Sequence, residues 1–226
     1  MDKSLFFEKH IMKQFDEELD GIRSGMLEMG GKVEQQLHKA VMSLVEPDSE
    51  LARSVIQKDE QVDEMELKID SACLMVLAKH QPAARDLRLV VAITRAVKDL
   101  ERVGDEAHNI AQHAIKLAEL GVPLYGYDEI RGLFTKVEIT FQSSLDAFAR
   151  FDEKAAFSIL KDSVKKDEYS SVLANLSAYM QSHPESINQL ISILWVVRSL
   201  ERVHDHTMNL CEQIVFLVQG KDIRHT

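Results

Sequence analysis

Two pairs of acidic residues with the same spacing lie one hundred residues apart in the chain. Glu101 and Asp105 form the first pair, Glu201 and Asp205 the second, and each pair belongs to the sequence Glu-Arg-Val-x-Asp-x-x-x-Asn. Residues four apart lie one above the other on a helix, so each pair places two carboxylates on one helix face. Like charges at this spacing repel each other by roughly 0.2–0.5 kcal/mol. A bound cation would offset the repulsion, and the motif therefore predicts a metal site.

Two further acids, Asp59 and Asp63, are predicted to lie beside the first pair. Asp63 lies 19 residues before the turn at Pro82, and Glu101 lies 19 residues after it. Asp59 and Asp105 are likewise 23 residues before and after that turn. Because helices joined by a short turn are antiparallel, the four carboxylates are expected to form a square on one rim of the two helices.

Carboxylate oxygens in such a square suit hard or borderline cations such as iron, manganese, magnesium or zinc. The simpler alternative for Asp59 and Asp63 is a solvated acidic face. For Glu101 it is a salt bridge with a neighbouring lysine or arginine, although the adjacent Arg102 is expected to point elsewhere. The repetition of the motif and the matching heights favour metal.

The second half of the chain offers a less complete site. Reflection about Pro184 places Asp167 opposite Glu201, but it places Ser163 opposite Asp205. The residues therefore predict at most three acids at this site, which are Glu201, Asp205 and Asp167.

Histidine is the other ligand type near the second motif. His204 and His206 are both within reach of it, and His204 occupies the position that Gly104 has in the first half. Glu201 and His204 have the Glu-x-x-His spacing of di-iron carboxylate bundles. A single such pair is weak support, and a histidine in a helix seam is more often a core residue than a ligand.

The elements that must position these residues are helices. Leucine, alanine, glutamate, lysine and valine dominate the sequence, with only four prolines and nine glycines. The sequence predicts an all-α fold of two tandem antiparallel three-helix bundles, residues 1–122 and 123–226, divided near residues 121–127. The six predicted helices cover residues 10–45, 49–79, 84–120, 128–150, 152–181 and 185–219. Pro47-Asp48-Ser49 is expected to stop the first helix and cap the second, and Gly220 to be the C-cap of the sixth.

Apolar residues at alternating spacings of three and four predict the packing seams of these bundles. The third helix has Val90, Ile93, Val97, Leu100, Gly104, Ala107, Ala111 and Ala114, and the sixth has their counterparts one hundred residues later. The second helix has Val55, Val62, Met65, Ile69, Ala72 and Val76.

Composition excludes several classes of function. A net charge of −10 over 226 residues argues against nucleic-acid binding, which requires clustered lysine and arginine. The two cysteines match no disulfide framework or zinc spacing. No signal peptide is visible and apolar runs are too short for a membrane span, so a cytoplasmic protein is expected. The sequence has no phosphate-binding glycine loop and no nucleophile elbow, so we expect no enzyme.

Several segments resemble the PhoU family of phosphate-signalling proteins. The strongest are Gln81–Arg88 and Asp99–Ala111, and the weaker ones are Phe15–Leu19, Met29–Gly30, Lys58–Asp63 and Leu200–Asp205. The resemblance covers essentially the whole chain and is more specific in its first half.

The resemblance implies two tandem three-helix bundles whose acidic motifs bind multinuclear clusters of iron, zinc or another metal such as manganese. By position, these motifs are Asp59 with Asp63, Glu101 with Asp105, and Glu201 with Asp205, while the fourth is reduced to Asp162 or Asp167. The family function it implies is regulatory. Such proteins resemble adaptors between the ATPase-driven phosphate ABC transporter and a phosphate-sensing histidine kinase, keep the phosphate-starvation response off and restrain uptake. Homodimers, and membrane contact only through these partners, are also implied.

Two other functions fit parts of the sequence. A di-iron carboxylate oxidase would use the acids as redox-metal ligands, but it needs them inside a four-helix core. A metal-free accessory protein of a low-affinity phosphate permease would need none of the acid sites.

Overall fold

The structure is a computed structural model that describes residues 13–120, 127–162, 164 and 166–223. The all-α prediction is confirmed, because every regular element in these ranges is helical. The helices are α1 (Lys13–Val45), α2 (Ser49–His80), α3 (Ala84–Leu120), α4 (Tyr127–Arg150), α5 (Glu153–Asp162), α6 (Lys166–Ser182) and α7 (Ile187–Gln219), with a short 3-10 turn at Pro184–Ser186 before α7. The predicted boundary between the halves falls on residues 121–126, which lie outside the described ranges.

Helices α1, α2 and α3 pack against one another as the first bundle. Asp48 caps α2, because its side chain accepts hydrogen bonds from the backbone N–H groups of Glu50 (3.0 Å) and Leu51 (2.9 Å). Gln81 ends α2 in the left-handed conformation with φ 46°, and Pro82 follows it. This turn reverses the chain into α3 and sets the register on which the predicted square of carboxylates depends.

Helices α4, α5 and α6 pack around α7 in the second half. The prediction of one helix over residues 152–181 was wrong, since α5 ends at Asp162 and α6 begins at Lys166. Asp162 and Ser163 are poor helix formers that compete for backbone hydrogen bonds. Val164, between the two helices, is buried, which requires the chain to turn inwards at this point. Gly220 ends α7 with φ 71°, as predicted.

The predicted seams form the core. Every predicted seam position of α3 and α7 is buried, including Gly104 and His204. On α2 the seam is shifted near its end, because Ala72 is exposed and Cys73 is buried in its place. Among the described residues, no helix is both long enough and apolar enough to cross a lipid bilayer.

A second buried stripe on α3 and α7 joins the two halves. Ala96, Val103 and Ile110 are fully buried, and so are their counterparts Val196, Val203 and Leu210. The two helices run antiparallel along this stripe. The contacts that show this order are Arg88 Nε to the Leu217 carbonyl (3.1 Å), Glu106 Oε1 to Arg202 Nη1 (3.0 Å) and the stacked rings of His113 and Trp195 (6.5 Å between centroids).

Polar residues also cross this junction. Asp99 on α3 accepts hydrogen bonds from His206 Nδ1 (2.9 Å) and Asn209 Nδ2 (2.8 Å) on α7. Glu106, whose side chain is only 8% exposed, is paired with Arg202. The two bundles are therefore held together by directional bonds as well as by apolar packing.

Helices α1 and α4 form a second contact between the halves. A β-carbon at Gly30 would lie 2.7 Å from Leu145 Cδ2, so the glycine permits this close approach. Arg23 donates a hydrogen bond to the Ala149 carbonyl, and His38 Nδ1 lies 2.6 Å from Glu138 Oε1.

Candidate metal-binding site

The four acids of the predicted square lie together along the edge of α2 and α3. We call Asp59, Asp63, Glu101 and Asp105 the rim cluster. The negative charges of Asp63 and Asp105 act on both Asp59 and Glu101. The side chains of Asp59 and Glu101 are 18% and 24% exposed, whereas Asp63 is exposed. Asp59 and Glu101 therefore form the half-buried inner part of the cluster, and Asp63 lies in its solvated outer part.

Arg102 does not point away from the cluster, and the prediction that it does was wrong. Its Nη1 lies 3.1 Å from Asp105 Oδ2 and its Nε lies 3.4 Å from Glu101 Oε2. The guanidinium group reaches around the helix surface to both acids because its side chain is long and 61% exposed. Arg102 therefore supplies positive charge to Glu101 and Asp105.

His108 is part of the site and was not predicted. Its Nδ1 lies 2.7 Å from Asp59 Oδ2, and Gln112 Nε2 lies 2.9 Å from its Nε2. Both contacts are satisfied when His108 donates from Nδ1 and accepts at Nε2. The sequence carries a signal for this residue, since His108 lies three residues after Asp105 and so on a neighbouring part of the same helix face.

The surroundings of the rim cluster disfavour ionised carboxylates. Burial raises the pKa of Asp59 above its ordinary value, and the charges of Asp63 and Asp105 add to this, while His108 opposes it. Burial also raises the pKa of Glu101, followed by the charge of Asp105. A cation in the cluster would reverse both effects.

The donor set of the rim cluster fits a hard cation, although its side chains are not gathered around one point. Among the described residues, no three histidine, cysteine, aspartate or glutamate side chains stand close enough to hold a metal ion in their present rotamers. Asp105 and Asp59 are instead engaged by Arg102 and His108. Binding of a cation by this cluster would therefore require these carboxylates to leave their present partners and rotate towards one point.

Neutralising Glu101 should stabilise the metal-free protein. Because the folded protein binds the Glu101 proton at higher pH than the unfolded chain does, stability is lost as the pH rises through the folded-state pKa. Metal-free Glu101→Gln protein should therefore be more stable than wild type at pH 7, by roughly 0.2–0.5 kcal/mol. The difference should shrink as the pH falls towards 4.5, the ordinary pKa of glutamate.

Thermal unfolding in the presence of a chelator, at pH 7 and pH 5, measures this effect. Glu28→Gln, at an exposed position in the middle of α1 where Glu28 is paired with Lys32, is the matched control and should show no such pH-dependent gain. If Glu101→Gln protein melts at a lower temperature than wild type in chelator at pH 7, then the ionised Glu101 carboxylate does not destabilise the metal-free protein.

The acids of the second half are arranged differently. Asp167 lines a groove between α4 and α6 with Glu129 and Lys136 as neighbours. On α6, Tyr169 lies within the electrostatic influence of Glu201 and Asp205. Burial raises the pKa of Tyr169, and the negative charges of these two acids raise it further. The alternative ligand Asp162 has a side chain outside the described residues.

His204 occupies, in the second half, the position that Gly104 has in the first half. Its ring takes up the space that a glycine leaves open. Its side chain is 10% exposed, its Nδ1 lies 4.0 Å from Asp205 Oδ1, and burial lowers its pKa. Glu201 is paired with Arg198, and His206 is turned towards Asp99 of the first bundle. The predicted second metal site, with Glu201, Asp205 and Asp167 as ligands, remains a prediction.

A polar cleft of about 560 Å³ connects the rim cluster with the junction of the bundles. Asp59, Asp105 and His108 lie on the side of the first bundle, and Arg202 and His206 on the side of the second. Arg102, Glu106 and Asn109 complete the lining. Asp59 and Asp105 therefore face the contact between α3 and α7.

The chain is similar to known proteins along almost its whole length. The family described as "PhoU domain" matches it twice, at residues 26–114 and 130–214. The phosphate-specific transport system accessory protein PhoU homolog of Pseudomonas putida is 46% identical over 217 residues, which are 96% of this chain and 85% of that protein. The phosphate-specific transport system accessory protein PhoU of Escherichia coli K12 is 41% identical over 98% of this chain and 92% of its own length.

Solved structures agree with these similarities. The crystal structure of PhoU from Pseudomonas aeruginosa superposes with a TM-score of 0.87 at 43% identity, covering 92% of this chain and all of that one. The phosphate transport system regulatory protein PhoU from Streptococcus pneumoniae superposes with a TM-score of 0.83 at 28% identity, over 92% of this chain and 99% of that one. The duplicated family match, the near-complete coverage and the shared helical architecture together place this chain in the PhoU family.

Proposed function

We propose that the protein is a non-enzymatic, metal-binding regulator of phosphate homeostasis. The observation that carries this proposal is identity of 41–46% to PhoU accessory proteins of the phosphate-specific transport system over nearly the full length of the chain. In this role it represses the phosphate-starvation regulon and restrains phosphate uptake when phosphate is plentiful.

The proposed protein acts in the cytoplasm by bridging two partners. These are the ATPase subunit of the phosphate ABC transporter and the sensor histidine kinase, and contact with the membrane occurs only through them. A homodimer is the proposed assembly. An acidic chain with net charge −10 would bind basic surfaces of such partners in a salt-dependent way.

The proposed metal ions are held by the acidic motifs. Asp59, Asp63, Glu101 and Asp105 would hold one site or cluster, with iron, zinc or manganese as the candidate ions. Glu201, Asp205 and Asp167 belong to the proposed second site. A bound cation supplies positive charge that neutralises the carboxylates and ties α2 to α3. Because the rim cluster faces the cleft between the bundles, its occupancy would affect the junction at which α3 meets α7.

Deletion of the gene in its native host tests the regulatory role. A reporter driven by a phosphate-starvation promoter should be active in high-phosphate medium without the gene, and repressed again when wild-type protein is restored. Deletion in a strain that also lacks the histidine kinase should leave the reporter silent, since the proposed signal passes through the kinase.

Two outcomes would count against this role. Normal repression in high phosphate after deletion would remove the regulatory function. Normal repression combined with reduced phosphate uptake would favour the alternative, a metal-free accessory protein of a low-affinity phosphate permease.

A further inference from the structure

A buried amide oxygen on α1 is directed towards the inner end of the rim cluster. Gln36 is 6% exposed, and its Oε1 is a buried atom without a hydrogen-bond partner. Buried polar groups are nearly always paired, because leaving one unpaired costs about 1–3 kcal/mol. An unpaired oxygen beside a group of carboxylates therefore requires a ligand or another explanation.

Gly104 defines the space that this oxygen faces. A β-carbon at residue 104 would lie 3.7 Å from Asp59 Oδ1, 3.8 Å from Gln36 Oε1 and 3.3 Å from Val62 Cγ1. Two oxygens from two different helices thus border one small space on α3, which exists because residue 104 has no side chain. Val62 forms its apolar wall.

His108 leaves the inner oxygen of Asp59 available. The histidine is bonded to Asp59 Oδ2, whereas Oδ1 is the atom that faces Gly104. A hydrogen bond to one carboxylate oxygen fixes the plane of the group and directs the other oxygen towards the space at Gly104, as outer partners of metal ligands do. His108 is therefore a positioning residue for Asp59.

We propose that the cation site of the first bundle extends inwards to a subsite formed by Gln36 Oε1 and Asp59 Oδ1 over Gly104. The subsite joins α1 to the two helices of the rim cluster, and it rests on the proposed function of the rim cluster as a cation site. Its donors are an amide oxygen and a carboxylate oxygen, which suit hard divalent cations such as Mn²⁺ and Mg²⁺. The other ligands are rim carboxylates and water.

The second half lacks this subsite, because His204 occupies the position of Gly104 and is buried there. A ring at this position fills the space that the glycine leaves open. We therefore expect only the first bundle to contain an inner oxygen subsite, so that the two halves bind cations differently.

Titration of the full-length protein with Mn²⁺, followed by the loss of the free-ion EPR signal, tests the subsite. Gln36→Leu should weaken Mn²⁺ binding on the order of tenfold. Gln35→Leu, at the exposed neighbouring position, is the matched control and should bind as wild type does. Gln36→Glu keeps an oxygen at the same place and should bind Mn²⁺ at least as tightly as wild type.

Thermal unfolding in chelator provides a second readout. Gln36→Leu removes an unpaired buried amide oxygen, so its metal-free melting temperature should equal or exceed that of wild type, while its stabilisation by Mn²⁺ should be smaller. A Gln36→Leu protein that is destabilised without metal and still binds Mn²⁺ normally would show a purely structural role for the amide.

The outcomes separate this inference from the proposed function. If Gln36→Leu binds Mn²⁺ like wild type while loss of Asp63, Glu101 and Asp105 abolishes binding, the inner subsite is refuted and the rim site stands. If wild type itself binds no Mn²⁺, the inner subsite and the rim cluster are both refuted as Mn²⁺ sites, and the regulatory role is tested separately by the gene deletion.

Discussion

Protein in which Asp63, Glu101 and Asp105 are all replaced by alanine should lose the metal that the rim cluster holds, and should therefore carry less metal after purification than wild type. The change removes three of the four carboxylates of the rim cluster and leaves only Asp59. Loss of outer partners of a metal ligand alone costs about 10–100-fold in affinity, so loss of three ligands should cost at least about 100-fold. Elemental analysis of protein purified without chelator gives the metal content per chain.

The control for this variant removes the same amount of charge elsewhere. Asp20, Glu46 and Glu119 are exposed acids on α1, after α1 and on α3. Replacing these three by alanine should leave the metal content unchanged, because they lie outside the rim cluster. Equal metal contents in the rim variant and wild type would show that the carboxylates of the cluster are not the ligands.

Arg202→Ala should destabilise the protein by about 2 kcal/mol. It leaves the Glu106 carboxylate, which is 8% exposed, with Asn109 at 3.4 Å as its remaining hydrogen-bond partner. The cost is lower than for a fully buried pair because Arg202 is 55% exposed and water can enter where it stood. Urea-induced unfolding measures the change, and wild-type helix content should be retained in the folded baseline.

A double variant distinguishes the lost pair from a general loss of packing. Arg202→Ala combined with Glu106→Leu removes both partners, so no buried charge is left unpaired and most of the stability should return. Arg53→Ala, which breaks the exposed pair with Glu50, should cost less than about 1 kcal/mol. If the double variant is less stable than Arg202→Ala alone, the unpaired Glu106 is not the cause of the loss.

Local rules account for the parts of the structure that the sequence predicts. The period of 3.6 residues places the seam residues of α3, and the break at Pro82 reverses the chain into an antiparallel neighbour. These two facts are sufficient to bring Asp59 to the height of Asp105. No long-range information is needed, because every step connects residues in consecutive helices.

The contact between α3 and α7 depends on long-range packing and was not predicted. Its signal was present, since Ala96, Val103 and Ile110 form an apolar stripe beside the predicted seam. A helix with two apolar stripes must be covered on two sides. The sequence does not specify which helix covers the second apolar stripe of α3, and only the structure shows that it is α7.

The inner residues of the site were missed for a different reason. The repeated motif marks acidic residues only, whereas Gln36 is a neutral side chain on α1 and His108 acts through Asp59. The prediction for Arg102 was wrong because its position on the helix fixes only the direction of its Cα–Cβ bond. The guanidinium group lies at the end of a long, flexible side chain and can reach residues on another part of the helix surface.

The antiparallel contact between α3 and α7 has the form of an isologous interface, in which one surface patch meets a copy of itself. Here both copies are fused in one polypeptide, and they have diverged. Asp99 and Glu106 correspond to Ser199 and His206, so neither acid of the contact has an acidic counterpart in the second half. The two halves are therefore not interchangeable at this contact, because each supplies side chains that the other lacks at the corresponding positions.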